Sequence, residues 1–249
     1  MALRLSTGLR DMMIGLEASI DASITGLEAD TLAFVASTPG TITIATGSFI
    51  TMGFVPGHNV KITGATTGAN EMTAKVKTVA ATTLTFETGT SFTAEAALDG
   101  TALEACSGGS LKDIFRDGVL YIYSGSQPAT ADTAASGTNL VIISESSGVW
   151  AAGSADNGLE FDTYSAGTIS KCTLETWSGV GIGGGGTAGW FRFCANPTDA
   201  LALNTVLPRI DGSIGTSGAN LNMSSTTIVD DATYTIDTFT LTLPLQYGS

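Results

Sequence analysis

The chain has 249 residues, of which 43% are hydrophobic, only 13% are charged and 31 are glycine. This composition excludes a disordered chain, whose low hydrophobicity would prevent burial of a core, and it predicts a β-rich protein of two domains. The net charge of −13, from 10 basic and 23 acidic residues, argues against binding to nucleic acid or to an anionic membrane surface, because such binding needs clustered basic side chains.

The first segment carries an apolar stripe at steps of three and four residues, which predicts an amphipathic helix capped by Ser6 or Thr7. Three glycines in this segment predict one broken helix or two short ones. Such an arm could pack on a neighbouring subunit or cover the core of its own domain. Charged residues interrupt the segment, so it predicts neither a cleaved signal peptide nor a membrane span. The stripe consists of Leu5, Leu9, Met12, Leu16, Ile20, Ile24 and Leu27.

Residues 38–105 have a different sequence pattern. Short runs in which apolar and polar residues alternate are separated by glycine, proline and asparagine. The runs TITIA, NVKIT, AKVKTV and TLTFE predict about four or five antiparallel strands in a small barrel or sandwich. The sequence VPGH at 55–58 predicts a tight turn, and TGATTGAN at 63–70 predicts a longer hairpin loop. We therefore expect an inserted β-domain over 38–105, between an arm over 1–37 and a main domain over 106–249.

The main domain begins with a short predicted helix, SLKDIFRDG, which ends near Gly118. About seven or eight strands then follow, enough for an antiparallel β-sandwich with jelly-roll connections. In VLYIYSG the alternation places Tyr121 and Tyr123 on one strand face, with Leu120 and Ile122 on the other. The run GLEFDTYSAGTISK predicts a hairpin that turns at Ser165 to Gly167, and VLPRIDGSIGT predicts a strand with a turn.

No residue pattern in the chain predicts catalysis or a metal centre. His58 is the single histidine and follows Pro-Gly, which favours a surface turn over a general base or a metal ligand. The glycine-rich run at 179–189 enters a strand, whereas a phosphate-binding loop opens a helix, so it predicts a hairpin tip. We therefore expect a protein that is not an enzyme and that uses no cofactor and no metal.

Seven carboxylates could form a glycosidase pair or bind calcium, but their sequence context favours turn residues that satisfy backbone donors. They are Asp156, Glu160, Asp162, Asp211, Asp230, Asp231 and Asp237.

Cysteines and aromatic residues leave alternatives open. Cys106, Cys172 and Cys194 lack metal-ligand spacing and are expected to be buried thiols, although a Cys172–Cys194 disulfide is an alternative. In TAGWFRF the alternation places Phe191 and Phe193 in a core. Trp150 and Trp177 lie near predicted loops, where either an interface role or a carbohydrate platform would be open to them.

Three segments of the sequence resemble one protein family: LKDIFRDGVLYIYSGSQP at 111–128, TAGWFRFCANP, and RIDGSIGTSGANLNMSSTTIV. Together they resemble β-rich structural proteins encoded in the virion gene blocks of tailed bacteriophages. In such relatives, a segment similar to RLSTGLR is followed almost immediately by the segment that begins at Phe115 in this chain. The intervening domain resembles a β-module of phage virion proteins, on the basis of Gly53, Phe54 and Gly57.

The resemblance implies a non-enzymatic virion protein that is assembled in the host cytoplasm. We expect a capsid decoration or cement protein that oligomerises and binds the major capsid protein or another virion protein. The acidic surface would suit docking on a basic or mixed-charge lattice, and the alternative is a solvated acidic surface with no partner. The alternatives are a tail tube or head–tail connector subunit and a carbohydrate-binding adhesin. The residues expected at contacts are Leu3, Leu5, Leu9, Met12 and Met13 of the arm.

Overall fold

The computed structural model describes residues 3–14, 19–21, 32–96, 101–107, 110–154 and 156–242. The chain divides into two compact units, a main unit of Met1–Leu9 with Phe115–Ser249 and an inserted unit of Arg10–Ile114. Within these ranges the α-helices are α1 (Thr7–Ile14) and α2 (Leu111–Ile114), and a short 3-10 helix spans Gly68–Asn70. The strands in chain order are β1 (Arg4–Leu5), β2 (Ser19–Asp21), β3 (Ala33–Val35), β4 (Thr41–Thr43), β5 (Asn59–Thr63), β6 (Thr73–Val79), β7 (Thr83–Phe86), β8 (Ala102–Ser107), β9 (Val119–Ser124), β10 (Asn139–Glu145), β11 (Phe161–Ser165), β12 (Thr168–Lys171), β13 (Trp177–Val180), β14 (Gly186–Cys194), β15 (Arg209–Gly215), β16 (Leu221–Asn222), β17 (Thr227–Ile228), β18 (Thr233–Ile236) and β19 (Thr240–Thr242).

The main unit is an antiparallel β-sandwich, as the sequence predicts. Its large sheet has the order β1-β15-β14-β9-β10-β13-β18, with β16 added to β15 and β17 added to β14. Its small sheet has the order β11-β12-β19. Only the short β15–β16 pair is parallel among the strand pairs described.

An aromatic cluster joins the two sheets of the main unit. Phe161 on β11 lies 5.5 Å from Phe193 on β14 and 5.6 Å from Trp177 on β13, measured between ring centroids. Phe239, just before β19, lies 5.5 Å from Phe191. All of these rings are buried, and offset or edge-to-face contacts at such distances stabilise a core beyond the area that they bury. The prediction that Phe191 and Phe193 belong to a core is confirmed.

The inserted unit is one curled sheet of order β2-β8-β5-β6-β7-β4-β3 around its own apolar core. The four predicted runs form β4, β5, β6 and β7. Alternate side chains point inward because successive residues of a strand face opposite sides, and β7 shows this with buried Leu84 and Phe86 alternating with Thr83 and Thr85. Asn70 anchors the predicted loop between β5 and β6, since its Nδ2 donates to the carbonyl of Thr93 at 2.9 Å.

The inserted unit is longer than the predicted range of 38–105. Leu32 and Phe34 belong to its core, and β3 pairs with β4. At the other end β8 pairs with both β2 and β5. The strands that close this sheet were not recognised because β2 and β3 are only three residues long and lie in or beside the segment read as a helical arm.

The helical arm predicted over 1–37, as one broken helix or two short ones, contains the short helix α1 and also the strands β1, β2 and β3. Leu5 lies in β1 and pairs with Ile210 of β15, so Arg4 and Leu5 are extended and their backbone groups bond within the sheet. The helix α1 spans only eight residues, and its first turn is capped as predicted by Ser6, whose Oγ accepts from the Leu9 N–H at 3.2 Å. Ile20 of the predicted stripe lies in β2, whereas Leu16, Ile24 and Leu27 lie outside the described residues.

The glycine-rich run is a connection and not a hairpin tip. The strands that it joins, β13 and β14, are separated in the sheet by β9 and β10. Gly183, Gly184 and Gly185 have φ between +70° and +79°, a left-handed conformation that suits glycine. A Cβ on Gly183 would lie 3.0 Å from the Asn139 carbonyl oxygen, so the run passes close over the start of β10.

Candidate functional site

One row of side chains crosses the large sheet of the main unit on the face opposite the aromatic core. Along this row, Asp211 on β15 stands opposite Arg192 on β14, which stands opposite Tyr121 on β9. The row continues to Arg4 on β1 at one end and to Ile142 on β10 at the other. The face therefore changes from charged to aromatic and then to apolar.

The charged end of the row is an ion pair without solvent exposure. Arg192 Nε and Nη2 each donate to one oxygen of Asp211 at 2.8 Å, a two-pronged geometry that suits the planar guanidinium. Both side chains are 0% exposed. The prediction that Asp211 is a turn residue is therefore wrong, because β15 continues straight through it.

Loop 125–136, which we name the covering loop, is held over this end of the sheet by three arginines. Arg192 Nη2 donates to the Thr133 carbonyl at 3.0 Å, and Arg209 Nη1 donates to the Ala131 carbonyl at 3.3 Å. Arg4 donates to the carbonyl of Pro128. Because carbonyls in a covered loop need donors, these bonds fix the loop and close this part of the face.

A second buried ion pair fixes another loop beside the first. Arg209 Nε donates to Asp199 at 2.6 Å, and the thiol of Cys194 lies 3.5 Å from the same carboxylate. Complete burial, followed by the charge of Asp199, raises the pKa of the Cys194 thiol. The thiol is therefore protonated at neutral pH and does not act as a nucleophile there.

The apolar end of the row is open and forms a groove of about 350 Å³. Its most exposed side chain is Val149, at 88%, and Ile142 and Val180 are 38% and 40% exposed. Tyr121 and Trp150 add aromatic surface to its walls. The lining residues are Tyr121, Ile142, Ser144, Ser147, Gly148, Val149, Trp150, Gly179 and Val180, which we name the apolar groove.

Hydrogen bonds within the chain hold the walls of the apolar groove. Trp150 Nε1 donates to the Asp117 carbonyl at 2.8 Å, which fixes the indole. Ser144 Oγ donates to the Gly148 carbonyl at 2.6 Å, and the hydroxyls of Ser147 and Ser178 are 2.8 Å apart. The serines are thus already paired, so the groove offers a partner mainly apolar and aromatic surface.

The predicted contact residues of the arm differ in how far their side chains are exposed. Leu3 is 37% exposed, Leu5 and Met13 are half-buried, and Leu9 is 0% exposed. The side chain of Met12 lies outside the described residues. Leu9 therefore packs within the chain and has no surface to offer a partner, and Leu3 has the most.

The tryptophans separate into one groove residue and two core residues. Trp177 and Trp190 are both 0% exposed, so an interface role for Trp177 is wrong. The reason is that β13 lies inside the sheet, where the Trp177 ring contacts Phe161 and Phe193. Trp150 alone of the three lines the apolar groove.

The remaining candidates for chemistry lie apart from the groove. His58 is buried at 7% exposure and not on the surface, because its turn packs against Asp113 within the inserted unit. Burial lowers its pKa, although Asp113 acts in the opposite direction. Asp162 lies in β11 and not in a turn, but it accepts from the Thr173 N–H at 3.2 Å, as expected of a carboxylate that satisfies a backbone donor.

Cys172 and Cys194 are both buried and free, and the side chain of Cys106 lies outside the described residues. Across the described ranges, no group of three or more His, Cys, Asp or Glu side chains has the arrangement of a metal site. In the same ranges, no helix has the length and apolar character needed to cross a membrane.

Sequence reasoning missed the buried ion pairs and the apolar groove. A sequence signal for the pairs does exist, since Arg192 stands within the aromatic run GWFRFC and Arg209 stands between the apolar residues Pro208 and Ile210. Comparison with family models, curated proteins and solved structures returned no match. The resemblance to phage virion proteins therefore stays a prediction.

Proposed function

We propose that this chain is a non-enzymatic structural subunit of a tailed-bacteriophage particle, a capsid decoration protein that binds the capsid lattice and stabilises the shell. The protein would then be located in the virion. The resemblance of residues 111–128 to phage virion proteins supports this proposal. The observation that carries it is the apolar groove, in which Ile142 and Val180 on adjacent strands and Val149 in the loop after β10 are exposed.

Because the apolar groove is small, we expect stable binding to need many copies of the protein that bind together. Full burial of a valine side chain contributes about 1.5 kcal/mol or somewhat more, so a few partly exposed side chains give a weak single contact. Such contacts become collectively strong when linked subunits bind a repeating surface. We therefore expect the protein to act as a homo-oligomer on a lattice.

The first test locates the protein by electron microscopy after adding it to particles that lack it. Density at repeated positions on the shell supports decoration. Density confined to the tail or neck contradicts it and favours the tail tube or connector alternative. Absence of density from the whole particle contradicts both.

A substitution in the apolar groove tests whether this surface makes the contact. Val149→Asp is expected to reduce particle binding at least tenfold, because it places a charge where apolar surface would be buried. The matched control is Leu174→Asp on the same unit, since Leu174 is 93% exposed and lies outside the groove. Equal binding of both variants would remove the groove from the proposal.

The adhesin alternative rests on Tyr121 and Trp150, which could stack on a sugar ring. It is less well supported, because Ser144 and Ser147 already bond within the chain and sugars need polar partners. A glycan array decides between the two: binding that Val149→Asp and Trp150→Ala abolish would favour the adhesin.

A further inference from the structure

A second groove runs along the free edge of β18 and is separate from the apolar groove. It has a volume of about 430 Å³. One wall is the segment 222–225, which begins with the last residue of β16, and the other is the segment 233–238, which contains β18. Its lining is mostly threonine, serine and asparagine side chains. We name it the edge groove.

Within the described residues, β18 pairs with β13 alone and ends the large sheet. The hydrogen-bond alternation of an antiparallel pair shows which groups face outward. Gly181 N–H donates to the Ala232 carbonyl at 2.8 Å, so in the same register Tyr234 and Ile236 also bond toward β13. The backbone groups of Thr233 and Thr235 therefore point into the edge groove.

These outward groups have no hydrogen-bond partner in the described part of the chain. The strand that carries them is held in place from inside: Ile236 is 3% exposed, and the Tyr234 hydroxyl accepts from the Val229 N–H at 2.7 Å. An ordered strand edge beside an open groove is a template for an added strand. About six residues of extended peptide, roughly 20 Å, match the segment 233–238.

Charge indicates the kind of peptide that the edge groove would accept. From residue 210 to the end of the sequence there are four acidic residues and no Lys or Arg. Asp230 and Asp231 precede β18, Asp237 follows it, and all three are exposed. Because these three carboxylates make this edge locally negative, repulsion disfavours the same edge of a second copy as the occupant, whereas a basic segment is attracted.

We propose that β18 is a docking strand for an extended, Lys- or Arg-bearing segment of another protein, which pairs with it in the edge groove. Backbone hydrogen bonds to Thr233 and Thr235 supply the binding, and the three aspartates select the charge. This inference depends on the edge groove alone, so its failure would leave the proposed function and the apolar groove untouched.

The test selects peptides on the intact protein from a displayed library of random seven-residue sequences. Counter-selection uses Thr235→Pro, which removes an outward N–H at a position where an edge strand tolerates proline. Enriched peptides are expected to be rich in Lys and Arg and poor in Asp and Glu. Binding of one enriched synthetic peptide is then measured by NMR, where protection of the Thr233 and Thr235 amides from exchange is expected.

A charge variant keeps the test informative even if Thr235→Pro fails to fold. The triple variant Asp230→Asn, Asp231→Asn and Asp237→Asn is expected to bind the peptide about tenfold more weakly. Asn can keep the bond that Asp230 Oδ1 accepts from Gly184 N–H. Asp156→Asn, an exposed carboxylate outside the edge groove, is the control and should bind as the unchanged protein does.

Several outcomes would overturn the proposal. The first is that no library peptide binds the unchanged protein better than it binds Thr235→Pro or the charge variant. The second is that the enriched peptides lack basic residues. The third is that the amides protected by the peptide lie away from β18. Self-association through β18, seen as concentration-dependent protection of the same amides without peptide, would replace the basic partner with a second copy and would equally overturn it.

Discussion

Arg192 and Asp211 form a two-pronged ion pair inside the main unit, with both side chains 0% exposed. Removing one partner leaves the other charge buried without compensation, which costs far more than the net stabilisation from the pair. We expect Arg192→Met to lower the free energy of unfolding by about 3–5 kcal/mol, measured by urea denaturation.

The double variant Arg192→Met with Asp211→Leu separates charge burial from packing. It should recover most of the lost stability, because two apolar side chains of similar volume need no partner. If the double variant is as unstable as the single one, the loss came from packing or from release of the covering loop, which Arg192 binds at the Thr133 carbonyl.

Glu175 provides a pH-dependent test at the same scale. Its Oε2 accepts from Trp177 Nε1 at 2.8 Å and from the Glu160 N–H at 2.9 Å. Partial burial, with the nearby carboxylates of Glu160 and Glu145, nevertheless raises its pKa above the ordinary 4.5. A raised pKa in the folded state means that its contribution to stability is full below pH 4.5 and is lost as pH rises through the folded value.

The substitution Glu175→Gln removes the ionisable group, so this loss of stability with rising pH should disappear. The Gln side-chain oxygen can still accept hydrogen bonds from both Trp177 Nε1 and the Glu160 N–H. Relative to the unchanged protein, Tm should therefore rise at pH 7 and change little at pH 4, as measured by differential scanning calorimetry. Glu104→Gln, which removes an exposed carboxylate in the inserted unit, serves as the control. A Tm difference that is constant with pH would contradict the pKa shift.

At the scale of elements, Ser6 joins the N-terminal segment to the main sheet. Its Oγ accepts from the Arg209 N–H at 2.9 Å and the Leu9 N–H at 3.2 Å, and it donates to the Leu207 carbonyl at 2.8 Å. Ser6 is 0% exposed. One hydroxyl thus both caps α1 and binds the start of β15.

We expect Ser6→Ala to destabilise the main unit by about 1–3 kcal/mol, because it leaves buried donors without an acceptor. Thermal or urea unfolding measures the loss, and Ser126→Ala, an exposed serine on the covering loop, is the control. A loss below about 0.5 kcal/mol would show that water replaces the hydroxyl.

At the scale of the whole molecule, the two units have separate sheets and the inserted unit has its own core. The fragment 10–114 should therefore fold alone, with dispersed NMR amide signals and cooperative unfolding. The fragment 38–105 is the matched control, since it lacks core residues Leu32 and Phe34 and part of β8. Equal stability of the two fragments would contradict the unit boundaries.

Much of the local structure could be predicted from particular residues. The alternation in TLTF and GWFRFC identifies β7 and β14 and the sides that their aromatic rings take. The turn at Ala166 and Gly167, with φ of 48° and 77°, joins β11 and β12 as the predicted hairpin requires. The apolar groove could not be found this way, because Ile142 and Val149 meet there only through folding.

The sequence by itself determined the class of this protein, mainly β with a second β-unit inserted, because the two-residue period and the turn residues are local properties. Only the tertiary structure decided which strands pair, where the inserted unit ends, and that Arg192 meets Asp211 beneath a covering loop. The physical reason is that a period of two indicates which face of a strand is buried and carries no information about its partner strand. Grooves, ion pairs and free edges all depend on that partner.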